Sequence, residues 1–249
     1  IRNMNYLIVG ASSGLGREIA YTFAKNGMDL ILVSRDERDL LALKSDIELK
    51  YNVNIKTLIC NFSQINEVEE KIINNLDIKK NLDGILFPIG LMFEKDNKDL
   101  NIKNIHQIIN ANFLSISFLV SKMFENLKEK NSSIVGFGSV SGLIGRNLNT
   151  NYAAAKRALE SYFESLAFDT KNTQINIQFY MLGYLDTNLS FGKKLNLPKG
   201  KINKLSEIVF KNKNKKFLKT YYPFFWNFIT FILKILPFTI VLKLKNFLK

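Results

Sequence analysis

The chain has 249 residues, 47% of them hydrophobic and 23% charged, enough for one α/β domain with a large core. A single cysteine, Cys60, excludes an internal disulfide framework and suits a reducing compartment. With only one histidine beside it, His106, it also argues against a zinc site. The net charge of +13 is unevenly placed: residues 193–249 hold 14 lysines against one acid, Glu207, so the preceding 192 residues are neutral. A neutral body with a cationic, aromatic tail does not resemble a nucleic-acid-binding face, and it points instead to a membrane-facing end.

In chain order, Tyr6–Val9 reads as a short apolar strand. It runs into Gly10-Ala11-Ser12-Ser13-Gly14-Leu15-Gly16, and a helix follows from about Arg17 to Asn26. Strand, glycine turn and helix together suit a dinucleotide: the glycines permit close backbone approach, and the helix N-terminus offers N–H groups and a positive dipole end to a pyrophosphate. Leu30–Val33 is the second strand and ends at Ser34-Arg35. An arginine there, where an acid would bind ribose hydroxyls, suits a 2′-phosphate and favours NADP(H) over NAD(H). The competing reading pairs Arg35 with Asp36 or Asp39.

Residues 36–50 are predicted helical, Ile55–Cys60 form a third strand, and Asn61-Phe62-Ser63 leads into a polar helix through Asn75. Asp83–Phe87 is a fourth strand entering Pro88-Ile89-Gly90. A long helix from about Lys103 to Lys130 carries Asn112 inside an apolar pattern, where it could bend the helix and hold a water. Ile134–Phe137 is strand five, with Ser139 just past it. The next helix, running to about Thr170, carries Tyr152 and Lys156 four residues apart, on one face. An ammonium beside a phenol is expected to lower the phenol's pKa from about 10, as a general acid/base near neutral pH requires. Ile175–Met181 is strand six. Strands alternating with helices argue a doubly wound parallel sheet, with ligands at its carboxyl end.

Residues 190–216 form a lysine-rich stretch suited to a substrate loop, and Phe217–Tyr222 suits a seventh strand. The apolar run from Pro223 to Leu242 is broken by Lys234 and Pro237 and flanked by Lys243, Lys245 and Lys249. That pattern favours a segment lying in a membrane interface over one spanning it. Packing against a second subunit is the alternative. No positively charged n-region with an apolar h-region opens the chain, so the expected location is cytoplasmic, peripheral on a membrane face.

With Gly10-x3-Gly14-x-Gly16, Asn112, Ser139, Tyr152 and Lys156 in this order, the sequence resembles the short-chain dehydrogenase/reductase family over roughly residues 5–190. The resemblance implies a Rossmann-type domain over residues 1–190. Residues 191–249 would be an extension of that domain, with a hydrophobic, basic tail. It places Gly10, Ser12, Ser13, Gly14, Leu15 and Gly16 around the cofactor phosphates and Arg35, beside Ser34, at the 2′-phosphate. Asn61, Phe62 and Gly90 would frame the cofactor, and Gly183, Leu185 and Thr187 lie in the segment that holds the carboxamide. Tyr152 would exchange a proton with the substrate oxygen, Ser139 would hydrogen-bond that oxygen, Lys156 would hold the nicotinamide ribose, and Asn112 would support a water-linked relay.

The family habit is a homodimer or homotetramer through the Asn112 and Tyr152 helices. The expected reaction interconverts a secondary alcohol and a ketone on a small-molecule or lipid-linked substrate. The sequence departs from the family pattern at Val9, Asn61, Phe87-Pro88-Ile89 and Leu182, all of which touch cofactor framing. These departures motivate the rival expectation of a catalytically idle nucleotide-binding scaffold subunit of a membrane-associated complex.

Overall fold

A computed structural model describes residues 5–93, 96, 100–144, 149–187 and 197–243. The expected substrate loop therefore lies partly outside the described residues, as do Lys245 and Lys249 of the tail. Seven strands build the sheet: β1 (Asn5–Val9), β2 (Asp29–Ser34), β3 (Ile55–Ile59), β4 (Gly84–Phe87), β5 (Ser133–Ser139), β6 (Asn176–Leu182) and β7 (Phe217–Tyr222). All pair in parallel, in the order β3-β2-β1-β4-β5-β6-β7. Strands β1 and β4 are neighbours although β2 and β3 intervene in the chain. The strand order reverses there, and a crevice opens beyond the carboxyl ends at such a reversal.

The buried runs in these strands follow from a sheet covered on both faces. Successive side chains alternate between the faces, so Tyr6 and Ile8 join one core while Leu7 and Val9 join the other. The first core lies under α1 (Gly14–Lys25), α2 (Glu37–Lys50) and α8 (Ile202–Asn212), with Phe23 edge-on to both Tyr6 and Phe210. The second lies under α6 (Ser115–Lys128) and α7 (Thr150–Asp169) and is filled by Leu119, Val120, Leu159 and Phe163.

Three sequence expectations shift in detail. The polar helix before Asn75 is a short α3 (Ile65–Val68) continued by a π turn, and α4 (Leu76–Asn81) starts at an Asn75 cap instead of ending there. Cys60 lies just past β3. The long helix after β4 divides into α5 (Ile102–Ile109), a π turn over Asn110–Leu114, and α6. Asn112 lies in that π turn, a local insertion often found at functional sites. The last described elements are α9 (Trp226–Ile235) and α10 (Phe238–Lys243), and α9 packs on β7.

Candidate active site

The glycine turn between β1 and α1 is shaped by sterics. Gly10 and Gly14 take φ of +86° and +51°, where a side chain is strained, and a Cβ on Gly16 would lie 2.0 Å from the Gly10 carbonyl oxygen. The start of α1 stays open to an anion: Ser13 makes no side-chain cap, and the first turn holds no acid. These features fit a pyrophosphate. Leu15 is buried in the core below the turn.

Neighbouring strand ends converge on this turn. The buried Ser34 hydroxyl donates to the Ser12 hydroxyl at 2.8 Å, tying the end of β2 to it. Arg35, next in the chain, is exposed. The competing pairing is not seen: Asp36 caps α2 through the Asp39 amide, while Asp39 pairs with Arg38 at 3.0 Å and Arg17 at 3.4 Å. Arg35 forms no ion pair among the described residues. On the other side, Thr187 returns over Gly14, whose Cβ would lie 3.5 Å from the threonine methyl. Leu185 on the same segment is buried.

Asn61 and Phe62 lie at the end of β3 but present different chemistry. The Asn61 carbonyl accepts from the Ser63 amide and hydroxyl at 3.2 and 2.9 Å, leaving its amide side half-buried. The Phe62 ring is 3% exposed and tilts against Phe87, so it serves the core. Gly90 is half-buried, and its neighbour Ile89 packs on Gly10, with a contact of 3.1 Å to an added Cβ.

The proton-transfer candidates meet at the ends of β4 and β5. Ser139 ends β5, where its Oγ accepts from the Ser141 amide and donates to the Ser141 hydroxyl, both at 3.1 Å. The Tyr152 phenol lies close enough for this hydroxyl to act on its proton affinity. Lys156 is only 3% exposed and donates from Nζ to the carbonyl oxygens of Phe137 (3.0 Å) and Ile89 (3.2 Å). Asn112, fully buried, donates to the carbonyls of Leu91 (2.7 Å) and Ile108 (2.9 Å) and accepts from the Leu91 amide (3.2 Å).

The electrostatics reverse one expectation. Burial pushes the Tyr152 phenol above its ordinary pKa of 10, and the nearby Ser139 hydroxyl offsets only part of this. Burial alone pulls Lys156 from 10.5 down to about 7. The lysine does not depress the phenol's pKa here because its Nζ faces two carbonyls, 5.9 Å from the centre of the tyrosine ring, and keeps its own proton weakly.

Sequence reasoning missed five contributors. The Ile89 and Phe137 carbonyls act through backbone that any residue supplies. The Arg17 guanidinium donates to the Ser12 carbonyl, bracing the glycine turn; its place directly after Gly16 was the available signal. Asp96 and Trp226 stand far away in the chain, and nothing local marks them.

The segment 183–187 is wedged from below. The Gly183 amide donates to the Tyr222 carbonyl at 2.8 Å, and a Cβ on Gly183 would lie 1.9 Å from the indole nitrogen of Trp226. Trp226 is 2% exposed and edge-on to Tyr184 at 6.0 Å. The helix beyond it turns Thr230 inward and leaves Phe228, Phe231 and Ile235 at 64–69% exposure, with Phe238 of α10 at 62%. No helix among the described residues is long and apolar enough to cross a membrane.

Residues 5–196 match the family model described as short chain dehydrogenase. The chain is 30% identical over 199 residues to a very-long-chain 3-oxoacyl-CoA reductase of Vanderwaltozyma polyspora, covering 75% of this chain and 57% of that protein. It is 29% identical over 246 residues to hydroxysteroid 11-beta-dehydrogenase 1-like protein A of Xenopus laevis, covering 94% of this chain and 82% of that one. Its fold is similar to a short-chain dehydrogenase from Sphingobium yanoikuyae in complex with NADPH, with a TM-score of 0.79 at 20% identity over 94% of this chain and 96% of that one. The chain thus spans little more than half the length of the yeast reductase.

Proposed function

Since the chain belongs to the short-chain dehydrogenase family, we propose that it is an NADP(H)-dependent oxidoreductase interconverting a secondary alcohol and a ketone on a lipid-borne or sugar-lipid substrate. The carrying observation is that Ser139, the Tyr152 phenol close enough to feel its hydroxyl, and a buried Lys156 are gathered at the carboxyl ends of the strands beside the glycine turn.

The residues present fit a nicotinamide dinucleotide. Gly10 to Gly16 would hold its pyrophosphate at the start of α1, Ser34 and Arg35 its 2′-phosphate, and Asn61 with the Phe62 backbone its adenine side. Lys156 would hold its ribose, and Gly90, Gly183, Leu185 and Thr187 would border its nicotinamide. When bound, the cofactor supplies or accepts the hydride at the reacting carbon.

In the reducing direction, Tyr152 gives its phenolic proton to the substrate oxygen as the carbonyl becomes an alcohol, and Ser139 donates a hydrogen bond to the same oxygen. A phenol held above its ordinary pKa is stocked with that proton at neutral pH. Lys156 has two N–H directions committed to carbonyls, leaving the third for a ribose hydroxyl. Both N–H groups of the Asn112 amide are bound to protein carbonyls, so it fixes the π turn. A relay water would rest on its Oδ1 or on nearby backbone oxygens.

The lipid-associated substrate is supported by the tail, where aromatic and aliphatic side chains face outward and no acid follows Glu207. The yeast and Xenopus relatives, a very-long-chain 3-oxoacyl-CoA reductase and a hydroxysteroid 11-beta-dehydrogenase 1-like protein, agree with an apolar substrate. We place α9 and α10 on the cytoplasmic face of an anionic membrane. Assembly as a homodimer or homotetramer through α6 and α7 belongs to the same reading.

Tyr152→Phe tests it. Turnover of NADPH with a long-chain 3-oxoacyl thioester or a ketosteroid should fall by about three orders of magnitude while nicotinamide fluorescence still reports binding. A variant as active as the parent would end the assignment. An idle scaffold is the second reading, favoured by Ile89 packed on Gly10 where the family pattern has a small residue. NADPH binding by the parent, with no turnover on any ketone, would select it.

A further inference from the structure

The helix carrying Tyr152 does not cap itself. Asn149 precedes α7, yet its side chain makes no cap hydrogen bond and its Oδ1 is buried without a partner. The open amides of the first turn are all taken by one residue from elsewhere in the chain. The Asp96 backbone carbonyl accepts from the Thr150 amide at 2.8 Å. Its Oδ1 accepts from the Asn151 amide at 3.1 Å and the Asn151 side chain at 2.6 Å, and its Oδ2 from the Tyr152 amide at 2.7 Å. Asp96 has no solvent exposure. A buried carboxylate gripping three N–H groups at the positive end of a helix is held in position and in orientation.

The chain after β4 thereby touches three of the four proton-transfer candidates. Ile89 accepts from Lys156, Leu91 exchanges hydrogen bonds with Asn112, and Asp96 holds Tyr152 by its own amide. From this geometry we infer that Asp96 is a positioning residue for the reaction proposed above. It sets the height and rotation of the first turn of α7, so that the phenol meets Ser139 and the substrate oxygen. The inference rests on that proposed reaction. A misplacement of about 1 Å at such a turn can cost on the order of a hundredfold in rate.

Asp96→Asn is the informative change. The amide keeps the shape but offers one acceptor where the carboxylate offered two, and it turns an N–H2 donor toward the amide of Asn151 or Tyr152. With NADPH and a long-chain 3-oxoacyl thioester, kcat should fall by about 10- to 100-fold while KM and the Kd for NADPH stay within about threefold. In a Tyr152→Phe background the same change should cost nothing further, because there is no phenol left to position. Hydrogen exchange of the full-length protein should rise at Asn151 and Tyr152. Asn75→Ala removes a cap on α4, remote from the site, and serves as the control for simple loss of stability; it should leave kcat unchanged.

Asp96→Ser, which keeps one acceptor, takes the place of the Asn variant if that fails to fold. A kcat within about twofold of the parent, an equal loss in the Tyr152→Phe background, or unchanged exchange at Asn151 and Tyr152 overturns the inference. A parent that reduces no ketone overturns the proposed reaction instead, and the exchange measurement still decides whether Asp96 holds the turn.

Discussion

The ammonium of Lys156 sits 5.9 Å from the ring centre of Tyr152, directed at the carbonyls of Phe137 and Ile89 and not at the phenol. Its folded-state pKa, about 7, lies below its ordinary 10.5. Between those values the unfolded chain holds more protons at this group than the folded one. The cost of burying the charge is therefore full below about pH 7 and fades as pH rises toward 10.5, and this group makes stability rise across that window. Lys156→Met removes the titrating group. Urea midpoints of the cofactor-free parent should gain on those of the variant as pH rises through the window. Parallel slopes would show that the lysine keeps its proton throughout.

Arg35 should discriminate between cofactors. Exposed and without an ion pair among the described residues, it gives up no charged partner to meet a phosphate. Arg35→Ala should weaken NADPH binding about tenfold or more and leave NADH within about twofold, read by nicotinamide fluorescence. Equal losses for both dinucleotides would remove Arg35 from the 2′-phosphate site.

Gly16 should tolerate no side chain. A Cβ 2.0 Å from the Gly10 carbonyl oxygen forces the turn apart, because backbone cannot yield as a flexible side chain does. Gly16→Ala should abolish measurable NADPH binding. Near-parental affinity would mean that the turn is not the dinucleotide cradle.

Gly183 and Trp226 offer an optical test, since Trp226 is the single tryptophan of the chain. Gly183→Ala places a methyl 1.9 Å from the indole nitrogen, so the ring must leave its buried seat. Overpacking of this kind costs about 1–3 kcal/mol. The emission of Trp226 should shift to the red and quench more readily with iodide. An unchanged spectrum would show that the segment over β6 moves in place of the ring.

The outward face of α9 should carry membrane affinity. Phe228 and Phe231 are exposed, while Trp226 and Thr230 hold the helix to the body. Phe228→Asp with Phe231→Asp therefore changes the surface without opening the core. The parent should float with vesicles rich in phosphatidylserine, and the double variant should not, with NADPH affinity unchanged in both. Flotation of both would move the contact elsewhere.

Much of this was legible in the residues. Short apolar strands alternating with helices set the parallel class, because only a sheet covered on both faces makes continuous apolar runs such as Tyr6–Val9 and Leu30–Val33 favourable. The spacing of Gly10, Gly14 and Gly16 is local sterics, and Tyr152 and Lys156 share a face by helical periodicity. Such features depend on neighbours a few positions apart, and the chain specifies them by itself.

What only the folded molecule decided is long-range and electrostatic. Asp96 meets Tyr152 across 56 positions, Trp226 meets Gly183 across the end of the sheet, and two backbone carbonyls, indistinguishable in sequence from any others, turn Lys156 away from the phenol. The expected sign of the Tyr152 shift depended on that last arrangement. A charge acts through distance and dielectric, both set by packing, so residue identity named the pair and burial fixed which way its proton affinity moved.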